Sequence, residues 1–149
     1  MKVRPLFSVA WSIWFADFLT KFWAENNLRE PINLIGSFLK LKLTHNSGAA
    51  FSLQISSIIL SIFAIVTSLV IFYFSTKITS LAWAVTLGLV LGGAFGNLTD
   101  RIFKGEVTDW ISLKYWPTFN FADLAIVTAA IIAIYLTGRN VSPIKKLES

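Results

Sequence analysis

The sequence predicts an all-α membrane protein of four transmembrane helices, with a small β-sheet at the outer membrane face between helices 1 and 2. Two observations carry that expectation. Of 149 residues, 55% are hydrophobic and only 14% charged, against about a quarter charged in soluble chains. The apolar residues also gather into runs near the ~20 residues that a helix rising ~1.5 Å per residue needs to cross ~30 Å of hydrocarbon.

The four runs fall at about residues 5–24, 55–75, 78–98 and 119–136, within a single domain spanning 1–149. The first follows Lys2 and Arg4, as a secretory signal would, but no small-residue cleavage site precedes Asp17 and aromatics continue through Trp23, so it is expected to remain as a helix. The second and third are long and uncharged inside. Before the fourth, residues 104–118 form the loop that leads into it. Between the first two, Leu39, Leu41 and Leu43 alternate with Lys40 and Lys42, the period of a strand with one apolar face, after a turn at Gly36-Ser37. That places the surface sheet at about residues 31–44.

The net charge of +5 would suit nucleic acid in a soluble protein. Here Lys2, Arg4, Lys77, Arg139, Lys145 and Lys146 all fall at helix ends on the side of the termini, with Glu148 as the acid there, against seven basic residues and seven acids on the other side. The count alone does not fix orientation, but weighting short segments near helix ends and the first helix puts the termini in the cytoplasm. Membrane orientation accounts for that basicity without a nucleic-acid partner. Cysteine is absent, so disulfides, thiolate metal sites and a cysteine nucleophile are excluded. One histidine, His45, leaves too few nitrogen ligands for a typical zinc site, and no local signature of a serine nucleophile surrounds it. Carboxylates could still hold a hard cation such as magnesium, but no metal or cofactor is expected.

The polar residues that do enter the apolar framework converge on one membrane face. Asp17 and Lys21 lie toward the outer end of helix 1, Asn46 and Gly48 just before helix 2, Asn97, Asp100 and Arg101 at the end of helix 3, and Asn120 and Asp123 at the start of helix 4. An acid within a span costs about 2.5–3.5 kcal/mol on insertion scales, so such a gathering marks a site. Several of these residues also have local explanations. Asp17 and Lys21 have the spacing of a helix ion pair. Gly88, Gly92 and Gly96 step by four and admit a close neighbouring helix. Asp100 beside Arg101 suggests an ion pair at a helix end, Asn120 or Asp123 a helix cap, and Asn46-Ser47-Gly48 a turn.

The chemistry best served by these residue types is a pair of aspartates: one ionised to activate water, the other protonated to polarise a carbonyl. Two carboxylates at about 4 Å repel by about 4 kcal/mol at an effective dielectric near 20, roughly three pKa units, which keeps one proton on the pair near neutrality. Composition and topology leave Asp17, Asp100, Asp109 and Asp123 as candidates. They also leave a second class of function open, a proton-coupled transporter or channel that relays protons through intramembrane carboxylates.

The strings HNSGAAFSL, GGAFGNLTDRI, VTDW and FNFAD, in that order at the outer side of a four-span chain, closely resemble bacterial lipoprotein signal peptidase, also called signal peptidase II. The resemblance implies an aspartic endopeptidase of the bacterial inner membrane that removes the signal peptide from diacylated prolipoproteins, cutting before the lipid-modified cysteine. It implies that Asp109 and Asp123 are the catalytic pair, and that Asn46, Gly48, Asn97, Arg101 and Asn120 support them or hold substrate. Asp17, Lys21 and Asp100 would stabilise the surroundings. Two positions depart from the family pattern: Phe18, where a polar residue is usual, and Trp110, where phenylalanine is commoner.

Overall fold

The computed structural model describes residues 2–50, 53, 54 and 56–144. Four long helices form: α1 (Val3–Asn27), α2 (Ser57–Phe74), α3 (Leu81–Lys104) and α4 (Phe121–Gly138). A short 3-10 turn, Ser75–Lys77, leads out of α2 toward α3. The expected start of helix 2 at Ile55, and Lys145, Lys146 and Glu148, lie outside the described residues.

Among the described residues, the segments Ser57–Lys77, Leu81–Lys104 and Phe121–Gly138 are long and apolar enough to cross a membrane by length and composition. The 25 residues of α1 span about 37 Å, also sufficient. Its polar residues Asp17 and Lys21 are turned inward and buried, while Trp11, Phe15 and Phe22 face outward. On α2 the outward residues include Ile58, Ile62, Phe63, Val66 and Leu69, an apolar belt that suits hydrocarbon and would be costly in water.

Three helices outrun their expected ends, α4 by two residues to Gly138. α1 continues to Asn27, and α3 runs six residues past Leu98, through Asp100, Arg101 and Lys104. Charged residues there mark the exit from hydrocarbon rather than the end of the helix. The stop is Gly105, whose φ of 81° gives the left-handed turn that ends α3, with its N–H donating to the Arg101 carbonyl at 3.1 Å.

The sheet corrects the expectation more substantially. It has four antiparallel strands in the order β1 (Ile32–Ile35), β2 (Leu39–Asn46), β5 (Val107–Leu113), β6 (Trp116–Phe119), while β3 (Ala49–Ala50) and β4 (Leu53–Gln54) make a separate two-stranded ribbon. Half of the main sheet therefore comes from the segment expected as a loop between helices 3 and 4. Thr44 pairs with Asp109 and Asn46 with Val107, so β2 and β5 lie side by side and carry site residues from two distant parts of the chain.

α3 is the central helix and packs against the other three. Its glycines permit this. A Cβ at Gly88 or Gly92 would lie 2.6 Å from the Leu6 or Ala10 carbonyl of α1, and one at Gly93 would lie 2.6 Å from the Ala122 carbonyl of α4. Backbones thus approach on two sides of one helix, and the packing expected from the glycine spacing is present. Gly92→Ala is predicted to lower stability by about 1–3 kcal/mol through overpacking, read as a lower unfolding temperature in detergent. Gly138→Ala, which meets nothing within 4 Å, is the control and is expected to leave it unchanged.

Candidate functional site

Where the C-terminal ends of α1 and α3 meet the starts of α4 and β5, the sequence-predicted polar residues form one connected network. It begins at Lys21. The ammonium, buried on α1, lies 2.7 Å from Asp17 Oδ2 and 3.0 Å from Asp100 Oδ2, and donates to Asn97 Oδ1 at 3.0 Å. The i,i+4 pair expected of Asp17 and Lys21 is present, but it is one part of a larger cluster.

Asp17 does a second thing. Its Oδ1 accepts the backbone N–H of Ala122 at 2.8 Å, so an acid on α1 binds an exposed amide in the first turn of α4. Asn120 and Asp123 complete that helix start as a reciprocal capping box. The Asn120 side chain accepts from the Asp123 amide at 2.9 Å, and Asp123 Oδ2 accepts from the Asn120 amide at 3.3 Å. The capping role considered for these residues from sequence is therefore real, and both residues also reach beyond it.

Asn120 Nδ2 donates to Asp109 Oδ1 at 2.7 Å and to Asn97 Oδ1 at 3.0 Å. Asn97 Nδ2 donates to Asp123 Oδ1 at 2.7 Å. Asn46 Nδ2 donates to Asp109 Oδ2 at 3.1 Å, while Asn46 Oδ1 accepts from the Gly48 amide at 2.9 Å. The turn expected at Asn46-Ser47-Gly48 is thus what aims Asn46: Gly48 has a φ of 114°, which side chains rarely tolerate. Both oxygens of Asp109 and both of Asp123 are engaged by amide donors.

The two acids differ in surroundings. Asp109 is only 2% exposed, whereas Asp123 is half-buried. Burial first, and the charge of Asp123 second, push the Asp109 carboxyl from its ordinary 3.8 up to about 7, against the opposing pull of the Asn46 and Asn120 amides. Arg101 stands close enough to interact electrostatically with Asp123 and Asp109. Its Nη1 makes a long contact of 3.5 Å to the Asn97 carbonyl, and its buried Nε has no acceptor among the described residues.

Asp100 departs from the simplest reading of its sequence neighbour. Its ion-pair partners are Lys21 and Lys104, at 3.0 Å each, and Arg101 is not among them. Asp100 Oδ2 also accepts the Thr108 amide at 3.0 Å, binding α3 to β5 one residue before Asp109. Trp110, the next residue, packs edge-on against Trp23 of α1 with ring centroids 6.0 Å apart. Phe18 stacks between Trp14 and Phe22 on α1 and lines a cavity together with Asp17 and Asp100. His45 is exposed on β2 and joins none of these contacts.

Sequence reasoning did not single out Glu25, Lys104 or Thr108, which meet at the ends of α1 and α3 and the start of β5. No periodic or motif signal marks Glu25 or Lys104, and Thr108 stands in VTDW only as the neighbour of Asp109. Their proximity depends on how long α1 and α3 continue past the apolar runs.

Comparison with known proteins matches this arrangement over nearly the whole chain. A lipoprotein signal peptidase of Streptomyces coelicolor is 40% identical over 95% of this chain and 74% of its own length. One of Mycobacterium tuberculosis is 37% identical over 91% of this chain and 72% of its own. A solved structure described as a bacterial membrane enzyme superposes with a TM-score of 0.83 at 27% identity, covering 97% of this chain and 93% of that one. The family model for signal peptidase (SPase) II matches residues 9–138, which take in every residue of the network from Asp17 to Asp123, and the chain belongs to that family.

Proposed function

We propose that this chain is an aspartic endopeptidase that removes the signal peptide from diacylated prolipoproteins, with Asp109 and Asp123 as its catalytic pair. The coarser statement, a peptidase of a bacterial membrane, follows from the family. The observation that carries the finer one is Asn120, which holds both acids at once: its side chain donates to Asp109 and its backbone amide to Asp123. Nothing in the family or the geometry favours the proton-coupled transporter considered from composition.

The unequal surroundings divide the labour. Asp109, enclosed and retaining its proton to about pH 7, is the acid; Asp123, half-buried and at the mouth of the network, is the base. Asp123 takes a proton from water as the water oxygen attacks the scissile carbonyl carbon, and Asp109 passes its proton to the carbonyl oxygen. On collapse the diol returns a proton to Asp109, Asp123 gives its proton to the leaving nitrogen, and the C–N bond breaks. Both acids end as they began. Arg101, with Nε unbound, is the cation suited to a substrate carbonyl beside the pair.

The site lies at the end of the bundle opposite the Ser75–Lys77 turn, and the proposed cytoplasmic termini would put it near the outer face of the inner membrane. Substrate helix and acyl chains then approach through the bilayer, and the sheet of β1, β2, β5 and β6 lies over the membrane surface beside the cleavage point.

Asp109→Asn and Asp123→Asn are each expected to lower turnover of a lipidated signal-peptide substrate by about 10²–10⁴-fold or more in detergent without a gradient. Near wild-type cleavage by both would sink the assignment. Activity is expected to survive a chelator, and loss that a divalent ion restores would place metal in the reaction.

The Asp109 proton also has a thermodynamic signature. Its folded-state pKa lies above its unfolded value, so its stabilising effect is full below about pH 4 and is lost as pH climbs to about 7. The whole span is worth roughly 4 kcal/mol. Wild type is expected to lose more thermal stability between pH 4 and pH 8 than Asp109→Asn, and its cleavage rate to fall above about pH 7. Parallel stability profiles for the two proteins would assign that proton to another group.

A further inference from the structure

The three residues that sequence reasoning passed over form a contact with a specific geometry. Thr108 is fully buried. Its hydroxyl donates to Glu25 Oε1 at 2.6 Å and accepts from Lys104 Nζ at 3.1 Å. Lys104 in turn lies 2.5 Å from the same Glu25 oxygen and 3.0 Å from Asp100 Oδ1. The Thr108 amide is held by the other Asp100 oxygen at 3.0 Å. One residue of β5 is thereby tied through backbone and side chain to the last turn of α1 and the last turn of α3.

The next residue along the strand is Asp109. Successive side chains of a strand point to opposite faces, so the tie through Thr108 lies on one face of β5 while the Asp109 carboxylate meets Asn120 and Asn46 on the other. On the partner strand, Thr44 pairs with Asp109 in the β2–β5 ladder and its hydroxyl donates to the Asp109 carbonyl at 3.3 Å, so β2 holds the strand from its side while the Thr108 side chain ties it to α1 and α3. We infer that Thr108, gripped by Glu25 and Lys104, is a positioning residue that sets where the Asp109 carboxyl stands relative to Asp123.

The plainer alternative is a surface ion pair that happens to border a strand. Glu25 and Lys104 are each about one-third exposed, with side-chain values of 30% and 36%, and an isolated pair so placed contributes little. This pair is not isolated: it closes on a buried hydroxyl and a buried carboxylate, and Thr108 Oγ1 has both its donor and an acceptor site occupied. Such a satisfied network fixes a geometry that separate contacts do not.

The inference rests on the reading of Asp109 as catalytic, and the test separates the two. Cleavage kinetics are measured on wild type, Asp109→Asn, Thr108→Val, Thr108→Ser, Glu25→Gln and the Glu25→Gln/Thr108→Val double variant, with thermal unfolding of each. Thr108→Val keeps the side-chain shape and loses the hydroxyl; it is expected to lower kcat about 10- to 100-fold, the range that displacing a reacting group by about 1 Å produces, with KM little changed. Thr108→Ser restores the hydroxyl and is expected to recover most of the rate. Glu25→Gln is expected to slow turnover in the same sense, and the double variant to be no slower than Thr108→Val alone, because both act through one contact. Wild-type kcat in Thr108→Val, failure of Thr108→Ser to recover the rate, or additive losses in the double variant would each overturn the positioning role. If Asp109→Asn itself cleaves normally, the fault lies with the catalytic assignment instead.

Discussion

The structure depends on where the Lys21 ammonium is allowed to sit. A buried, unpaired lysine is costly at any membrane depth, and a single carboxylate rarely compensates fully for the water it loses. Lys21 forms ion pairs with Asp17 and Asp100 and donates a hydrogen bond to Asn97 Oδ1. Each acceptor also holds another element: Asp17 the first turn of α4, Asp100 the start of β5, Asn97 the side chains of Asp123 and Asn120. One charge on α1 is thus linked through its partners on α1 and α3 to the start of α4 and the start of β5.

Close packing makes that arrangement possible. A Cβ at Gly96 would lie 2.5 Å from Asp17 Oδ2 and 3.1 Å from the Ala122 Cβ, so the smallest residue stands where α1, α3 and α4 converge. The glycine steps along α3 and the carboxylate cluster at its end are therefore parts of one design: the glycines bring the helices near enough for Asp17 to reach across to an amide of α4. Larger residues would separate the helices and strand Asp17 and Lys21 as an ordinary local pair.

Much of this was legible in the sequence, for identifiable reasons. Helix positions followed from apolar run length, and the gathering of Asp17, Asn46, Asn97, Asn120 and Asp123 at one face followed from counting spans. The C-terminal end of α3 was less legible because hydropathy reports the edge of hydrocarbon, whereas the helix stops at the left-handed Gly105. The sheet was half visible. Leu39, Leu41 and Leu43 announced a strand locally, but pairing of Thr44 with Asp109 joins residues 65 apart, and no local pattern specifies such a partner. For the same reason Asp109 looked like a loop acid, and the cross-element contacts of Glu25, Lys104 and Thr108 had no sequence signal at all.

Polarity along the network has a direction. Lysine is purely a donor, so the Asn97 side-chain oxygen must face Lys21, and its amide nitrogen is left to face Asp123. The orientation of an asparagine amide is ordinarily an assignment between two near-equivalent atoms; here the reverse would set NH₂ against an ammonium and carbonyl against carboxylate. The same oxygen accepts from Asn120, which turns the second Asn120 proton toward Asp109. Lys21 touches neither proposed catalytic acid, yet it determines that both receive donors. In an enclosed site of low effective dielectric, donors held in place beforehand are worth more than mobile water and need no reorganisation as charge moves. A positive charge placed two hydrogen bonds from Asp123 and three from Asp109, rather than against them, orients the pair while leaving Asp109 free to keep its proton.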